Sequence, residues 1–305
     1  MAKDAYYVPG MPEDVNSDHI VKAEGLEGKV RALAIRTTAT CEKARQIHDT
    51  TPAATAALGR FMTGSLLIAS NMKGDTDTQT TLLKGDGPLG GITCVCDFGN
   101  KVRAYPINAK IETKYHKPGK IDVGSAVGNG MLTIIRDIGL KEPYVGSVEL
   151  ISGEIAEDFA YYLAKSEQTK SIVALGVLLE KGIVTQAGGL MIQLLPNADD
   201  KTIDYLEQRA SGFPDITFLL GEGFSPAQII DLFLGDPEAI YLEADPVSFS
   251  CPCSKEKMST GLITLGREEL NNLAQDPKGI DTECHFCGSK YHFTKEDIEE
   301  LIKSI

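Results

Sequence analysis

Hydrophobic and polar positions along this chain follow three successive regimes. Over residues 29–38, apolar and β-branched residues interleaved with arginines predict a strand. Residues 52–72 are apolar on most faces; Thr51 suits a cap, Pro52 a first helical position and Gly74 a stop, so a buried helix is expected. Residues 78–83, 90–96 and 101–105 read as an antiparallel meander, with Gly85, Asp86, Gly87 and Pro88 turning between the first two strands. A strand at 145–150, a helix capped by Ser152 and ending near Lys165, and strands at 172–179 and 190–195 complete a body. Gly188 and Gly189 read as a turn before the last of these.

The βαβ alternation of a parallel sheet is missing, so the fold class is α+β: an N-terminal α/β body with a mostly antiparallel sheet and one buried helix. From 199 to 246 the pattern changes to short helices broken by Gly and Pro. The clearest opens at Ser225 and Pro226, carries Ile229, Ile230, Leu232 and Phe233, and stops at Gly235. Helices this short are marginal alone, so the segment is expected to be a linker whose apolar residues lean on the body or on a partner. In the third regime, Thr294 and Asp297 form a capping box, and Ile298, Leu301 and Ile302 give a terminal helix one apolar stripe. The expected organisation is an extension at 1–18, a core at 19–198, a helical linker at 199–246 and a small C-terminal domain at 247–305.

With 305 residues, 42% of them hydrophobic, the chain can bury one substantial core and carry a smaller unit. Its 43 acidic residues outnumber 30 basic ones, and the formal charge of −13 weighs against nucleic acid and anionic membrane as partners. The apolar stretch 53–72 is broken by Arg60, which suits a buried helix better than a membrane span. Residues 1–16 carry charges of both signs and two prolines, and read as a frayed extension rather than a signal peptide. A reducing cytoplasm is the expected compartment, where closely spaced cysteines are metal ligands or redox centres. No G-x-S-x-G, H-E-x-x-H, Walker or Rossmann pattern occurs, so no enzyme is expected.

The chemistry concentrates at Cys251, Cys253, Cys284 and Cys287. Two close cysteine pairs separated by this span form a two-knuckle zinc site, expected to hold one Zn2+ per chain on four thiolates. His285 and His292 are alternative donors. A permanent zinc staple and a releasable one fit the spacing equally. A domain this small has a weak core, whereas a structural zinc contributes on the order of 10 to 16 kcal/mol, so metal loss should unfold it. Lys255, Lys257 and Lys290 lie near the thiolates in sequence and would offset their charge. Cys94 and Cys96 share one face of a strand and read as small buried hydrophobes, as Tyr161 and Tyr162 read as core; Cys41 has no assigned role. Two other functions suit the cysteines: a zinc-ribbon binding module with permanent metal, and a thiol oxidoreductase using Cys284 and Cys287.

Cys-Pro-Cys-Ser-Lys-Glu at 251–256, Cys-His-Phe-Cys at 284–287 and Tyr-His-Phe-Thr-Lys-Glu at 291–296 resemble the zinc centre of the heat shock protein 33 family of redox-regulated chaperones, the 33-kilodalton chaperonins. Arg36-Thr37-Thr38, Ala57-Leu58-Gly59-Arg60, the run 84–90 and Gly188-Gly189 extend the resemblance over nearly all of the chain after about Asp18. It implies a bacterial cytoplasmic holdase that uses no ATP, idle while reduced and zinc-bound, and binding unfolding proteins once oxidised. It also implies disulfides Cys284–Cys287, formed first, and Cys251–Cys253, formed as zinc leaves and the linker unfolds. Such bridges close loops of a few residues and restore at most roughly 2 kcal/mol each. A homodimer when active, and downstream ATP-driven chaperones as partners, are further implications. Ile229, Ile230, Leu232 and Phe233 are the expected client contacts once exposed.

Overall fold

The computed structural model describes residues 8–117 and 119–305, so residues 1–7 of the expected extension lie outside the described residues. Strands β1 (His19–Gly25) and β2 (Val30–Arg36) lead into helices α1 (Thr38–His48) and α2 (Pro52–Ala69). The meander β3 (Thr78–Gly85), β4 (Gly91–Asp97) and β5 (Lys101–Pro106) is followed by a small hairpin, β6 (Tyr115–Lys117) and β7 (Lys120–Ile121). Next come α3 (Val123–Val127), β8 (Gly130–Asp137), β9 (Tyr144–Glu149), α4 (Ala156–Ser166) and the long hairpin β10 (Ser171–Glu180) and β11 (Ile183–Leu194). Helices α5 (Asp200–Ser211), α6 (Ile216–Gly221) and α7 (Pro226–Leu234), with strands β12 (Ile240–Pro246) and β13 (Ser248–Phe249), complete a compact unit ending at Phe249. Residues 199–246 therefore belong to that unit. A second unit, Ser250–Ile305, holds α8 (Lys255–Ile263), α9 (Arg267–Leu273), β14 (Ile280–Glu283), β15 (Lys290–Phe293) and α10 (Lys295–Lys303).

The first unit is α+β, built on a five-stranded sheet ordered β10-β11-β2-β1-β12 and a six-stranded sheet ordered β13-β5-β4-β3-β8-β9. Every pairing in them is antiparallel except β13 with β5. The buried helix is α2, which packs on β10 and β11 of one sheet and on β4 and β5 of the other. Flanked on both sides, it needs apolar residues all round, and only Pro52 and Arg60 are not buried.

On β2, Val30, Ala32 and Ala34 join Ile229, Ile230 and Phe233 of α7 in one cluster, while Leu33 and Ile35 are buried on the opposite face. With both faces covered, the strand loses the polar alternation of a half-exposed one. Helices α6 and α7 thus cover the sheet face that α2 leaves.

Several local expectations are corrected. Helix α1 lies where the sequence suggested nothing regular. Only Thr40, Cys41 and Ala44 of it are buried, so its apolar stripe is too thin to register. Helix α2 ends at Ala69, where Ser70 turns its hydroxyl back to the Leu67 carbonyl at 2.8 Å, rather than continuing to 72. The Thr51 hydroxyl accepts from Ile111 N at 3.2 Å instead of capping α2.

Helix α4 is capped by Asp158, not Ser152. That buried carboxylate collects Ile151 N at 2.7 Å, Ser152 N at 3.0 Å and Ile155 N at 2.9 Å. Gly188 and Gly189 sit inside β11, not in a turn. A Cβ on Gly188 would stand 2.4 Å from the Ile35 carbonyl oxygen, so glycine here serves close strand packing. The N-terminal segment is anchored at Val8 rather than frayed throughout: Val8 is buried and Ala244 N donates to the Pro9 carbonyl at 2.7 Å, while residues 13–16 are exposed. Strand β12, which pairs along β1, occupies the end of the stretch read as helical. Strands β1 and β8 were not anticipated.

Candidate metal centre

The second unit has a very small core. Leu262, Leu270, Phe293 and Ile298 are its buried apolar cluster, with Tyr291, Leu301 and Ile302 packed against it. Thr294 caps α10 as expected, accepting from Asp297 N at 3.2 Å while its own N donates to the Asp297 carboxylate at 2.9 Å.

Two turns carry the cysteines. Cys251 and Cys253 flank Pro252 just before α8, whose cap Ser254 accepts from Lys257 N at 3.3 Å. Cys284 and Cys287 occupy the connection between β14 and β15. There Cys284 N donates to the Ser289 carbonyl at 2.9 Å, Gly288 N donates to the Cys284 carbonyl at 2.8 Å, and Gly288 takes a φ of 69°. The left-handed residue turns the chain back and leaves both sulfurs on the same side as the first pair.

Sγ of Cys251 lies 3.7 Å from that of Cys284, and Sγ of Cys253 lies 3.3 Å from that of Cys287. All four sulfurs fall within 4.8 Å of one another. Zinc–sulfur bonds of about 2.3 Å set the edge of a tetrahedron at about 3.8 Å, so the donor set fits a tetrahedral thiophilic ion. All four cysteines are free thiols, and two of their contacts run between the knuckles. His292 Nδ1 is engaged by the Asp281 carboxylate at 2.9 Å, and neither His292 nor His285 belongs to the four-sulfur group.

The thiols are not equivalent. Burial pushes Cys251 and Cys284 up. Burial also opposes ionisation of Cys287, but hydrogen bonding with Ser289 and with the neighbouring thiols brings it down to about 7. The Tyr291 hydroxyl donates to Cys253 Sγ at 3.1 Å, and that bond pushes the phenol up to about 12. The sequence did not single out Tyr291 for this role, although it lies on the last strand beside the capping box. Lys255 is drawn to the Asp297 carboxylate at 2.7 Å and to the Phe293 ring at 5.1 Å, and Lys290 leans toward Glu283 at 3.9 Å.

The remaining candidate residues lie in the first unit. Cys94 and Cys96 are fully buried on β4, and burial pushes Cys41 up to about 12. Tyr162 is buried and Tyr161 half-buried. Ile229, Ile230 and Phe233 are buried in the core beneath α7, and only Leu232, at 37%, is exposed. A second group of metal-ligand type, His116, Asp122 and Glu154, is an ion-pair network in which Arg60 holds the other Glu154 oxygen at 2.7 Å. Among the described residues, no helix is long and apolar enough to cross a membrane.

Comparison with known proteins covers the whole arrangement. The Hsp33 protein family matches residues 18–294. The 33 kDa chaperonin of Ruminiclostridium cellulolyticum is 44% identical over 286 residues, covering 94% of this chain and 98% of that protein. Its counterpart in Bacillus subtilis is 43% identical over 286 residues, covering 93% and 98%. The crystal structure of the 33 kDa chaperonin, a heat shock protein 33 homolog, from Thermotoga maritima superposes with a TM-score of 0.87 at 32% identity, covering 94% and 98%. A fold of two antiparallel sheets about one buried helix, a four-cysteine cluster and end-to-end likeness to these chaperonins place the chain in the Hsp33 family.

Proposed function

We propose that the chain is a redox-regulated, ATP-independent holdase chaperone of the cytoplasm. In this reading it is idle when reduced and zinc-bound, and it binds unfolding proteins and prevents their aggregation when oxidised. The observation that carries the reading is the convergence of Cys251, Cys253, Cys284 and Cys287 within 4.8 Å, in a unit whose core is four buried side chains. When bound, Zn2+ would supply a cross-link that this core cannot replace.

The sulfurs perform the chemistry. Cys284 with Cys287, then Cys251 with Cys253, would each form one S–S bond, the two thiolates giving up two electrons to a peroxide-class oxidant that takes two protons from solvent and leaves as water, while the ion is released. With its sulfurs withdrawn from the metal, the unit loses its clamp, and the short helices at 199–246 follow. Ile229, Ile230, Leu232 and Phe233 then become candidate client contacts. The active form is a homodimer that passes clients to ATP-driven chaperones.

The oxidoreductase reading is disfavoured by position: Cys284 and Cys287 lie between two strands rather than at the start of a helix. Zinc content and free thiols, measured before and after mild peroxide treatment, test the proposal together with suppression of client aggregation. The expected change is from one zinc to none, with loss of four thiols and gain of holdase activity. Retained metal, or equal activity in both states, favours a permanent zinc staple instead.

A further inference from the structure

Two ionisable side chains, His19 and Arg36, are set into the face of the five-stranded sheet that α6 and α7 cover. Strand alternation puts them there: Val21 and Ala23 of β1, with Val30, Ala32 and Ala34 of β2, belong to the core of that face, and His19 and Arg36 continue the same parity. The β1–β2 register, which pairs Ile20 with Ile35, brings the two opposite each other one step further on. His19 is 0% exposed and Arg36 5%.

His19 Nδ1 lies 2.7 Å from the Ser17 carbonyl, so in the neutral ring this nitrogen carries the proton and Nε2 is a bare acceptor. Among the described residues neither His19 Nε2 nor Arg36 Nε has a hydrogen-bond partner. Arg36 also ties down the cover, since its Nη2 donates to the Leu220 carbonyl of α6 at 3.1 Å. A proton added at His19 Nε2 would therefore create a second buried cation beside the guanidinium, with no acceptor within reach of the new N–H.

Burial holds the ring below its ordinary 6.5 and Arg36 adds to this, against the pull of the Ser17 carbonyl, Asp18 and Asp14. Neither acid is turned to the ring. Asp18 accepts from Ala39 N at 3.2 Å and Thr40 N at 2.6 Å at the start of α1, and Asp14 accepts from Asn16 N at 2.9 Å. From β12 the residue opposite His19 is Pro246. Helix α6 carries no ionisable residue, and Asp231 of α7 takes the Tyr241 hydroxyl at 2.6 Å.

We infer that acid loosens the cover of this face and that His19 is the group that senses it. Closing α6 and α7 over the sheet requires a neutral ring beside Arg36; opening them hydrates the pair and lets Nε2 take up one proton from solvent. Above about pH 6.5 the ring is neutral in both forms and the cover keeps its full stability. Below that value the open form alone binds the proton, and the open population rises by up to about tenfold per pH unit until the closed form protonates as well. The inference rests on the proposed function for its use, as a second trigger for the same cover, but its test needs neither oxidant nor client.

Hydrogen exchange would be followed on the reduced, zinc-loaded full chain at about pH 7.5 and about pH 5.5, for wild type, His19→Asn and His19→Gln, both neutral at every pH. Rates are compared as protection factors, which remove the pH dependence of chemical exchange. Wild-type α6 and α7 should lose about tenfold in protection between the two conditions, while α2 in wild type, and α6 and α7 in both variants, change by less than about twofold. Protection in wild type that ignores pH would overturn the inference. So would an equal loss in all three chains, the result expected if metal release opened the cover, which zinc content of the same samples would reveal. A His19 ring that titrates at its ordinary value by NMR while α7 stays protected would also overturn it, whether or not either variant folds. A tenfold loss confined to wild type, with no holdase activity gained in acid, upholds the sensor and counts against the proposed link from cover to activity.

Discussion

Truncating Phe233 should loosen the cover of the five-stranded sheet without touching a cysteine. This side chain is 1% exposed and meets Phe213 edge to face, with ring centroids 4.9 Å apart. Replacing it with alanine removes a buried ring, at a cost of about 3–5 kcal/mol. Helix α7 is nine residues long and α6 six, too short to persist on their own, so the loss falls on local opening of this segment. Amide protection across α7 should drop by roughly a hundredfold to several-thousandfold.

Hydrogen exchange on the reduced, zinc-loaded Phe233→Ala chain reads that drop, and a client-aggregation assay under the same conditions reads its consequence. If cover of Val30, Ala32, Ala34, Leu190 and Ile192 is what keeps the protein idle, the variant should suppress aggregation without oxidant. Leu232→Ala, at a half-exposed neighbour, should do neither. Wild-type protection of α7 in Phe233→Ala would refute the packing argument. A deprotected α7 with no gain of activity would refute the link from cover to function.

Other outcomes follow from the same contacts. Chelation at neutral pH should abolish amide protection in β14, β15 and α10 while α2 keeps its own, and protection surviving in all of them would mean that the four-residue core suffices. Glu42 accepts from Arg45 Nε and Nη2, each at 2.7 Å, and from Val184 N at 3.0 Å, and the Arg45 bonds hold it at about 2, below its ordinary 4.5. Its contribution is therefore present above about pH 4.5 and is lost as pH falls toward 2. Glu42→Gln should be less stable than wild type at pH 7 and converge with it in acid, which circular dichroism of acid unfolding would check; parallel curves would exclude the linkage. Tyr291→Phe removes the hydroxyl that donates to Cys253 and should weaken zinc binding several-fold in a competition titration with a chromophoric chelator.

The elements legible in the sequence are those whose partners lie nearby or whose burial is complete. The meander at β3 to β5, the largely apolar α2, the Ser225-Pro226 opening of α7, the capping box of α10 and the four-sulfur cluster all declare themselves by local pattern. What escaped depends on distant partners. Strand β12 is exposed at most positions because it is an edge strand, so its apolar residues show no clean alternation, and its identity comes from pairing with β1 more than two hundred residues earlier. Helix α1 hides for a related reason: it earns its place through a few contacts, with Lys43 reaching the Phe249 carbonyl at 3.2 Å and Asp18 accepting from Thr40 N at 2.6 Å. The inequality of the thiols was equally out of reach, since it depends on Ser289 and Tyr291 being folded back onto the sulfurs.

The two faces of the five-stranded sheet are covered by different means, and the difference bears on which one can open. Helix α2 is a single 18-residue element, buried along nearly its whole length between two sheets, so removing it would dismantle both. On the other face the cover is assembled from short pieces tied by side chains to helix ends. Arg36 donates to the Leu220 carbonyl at 3.1 Å, Tyr205 to the Leu234 carbonyl at 2.7 Å, and Tyr241 to the Ala227 carbonyl at 3.0 Å. Each tie contributes only about 1 kcal/mol net, and each depends on its neighbours to hold the helix end in place. Such a cover opens as a group once one piece fails. The face beneath it is lined by alanine and valine as well as larger apolar residues, so its exposure is what the Phe233→Ala assay reads.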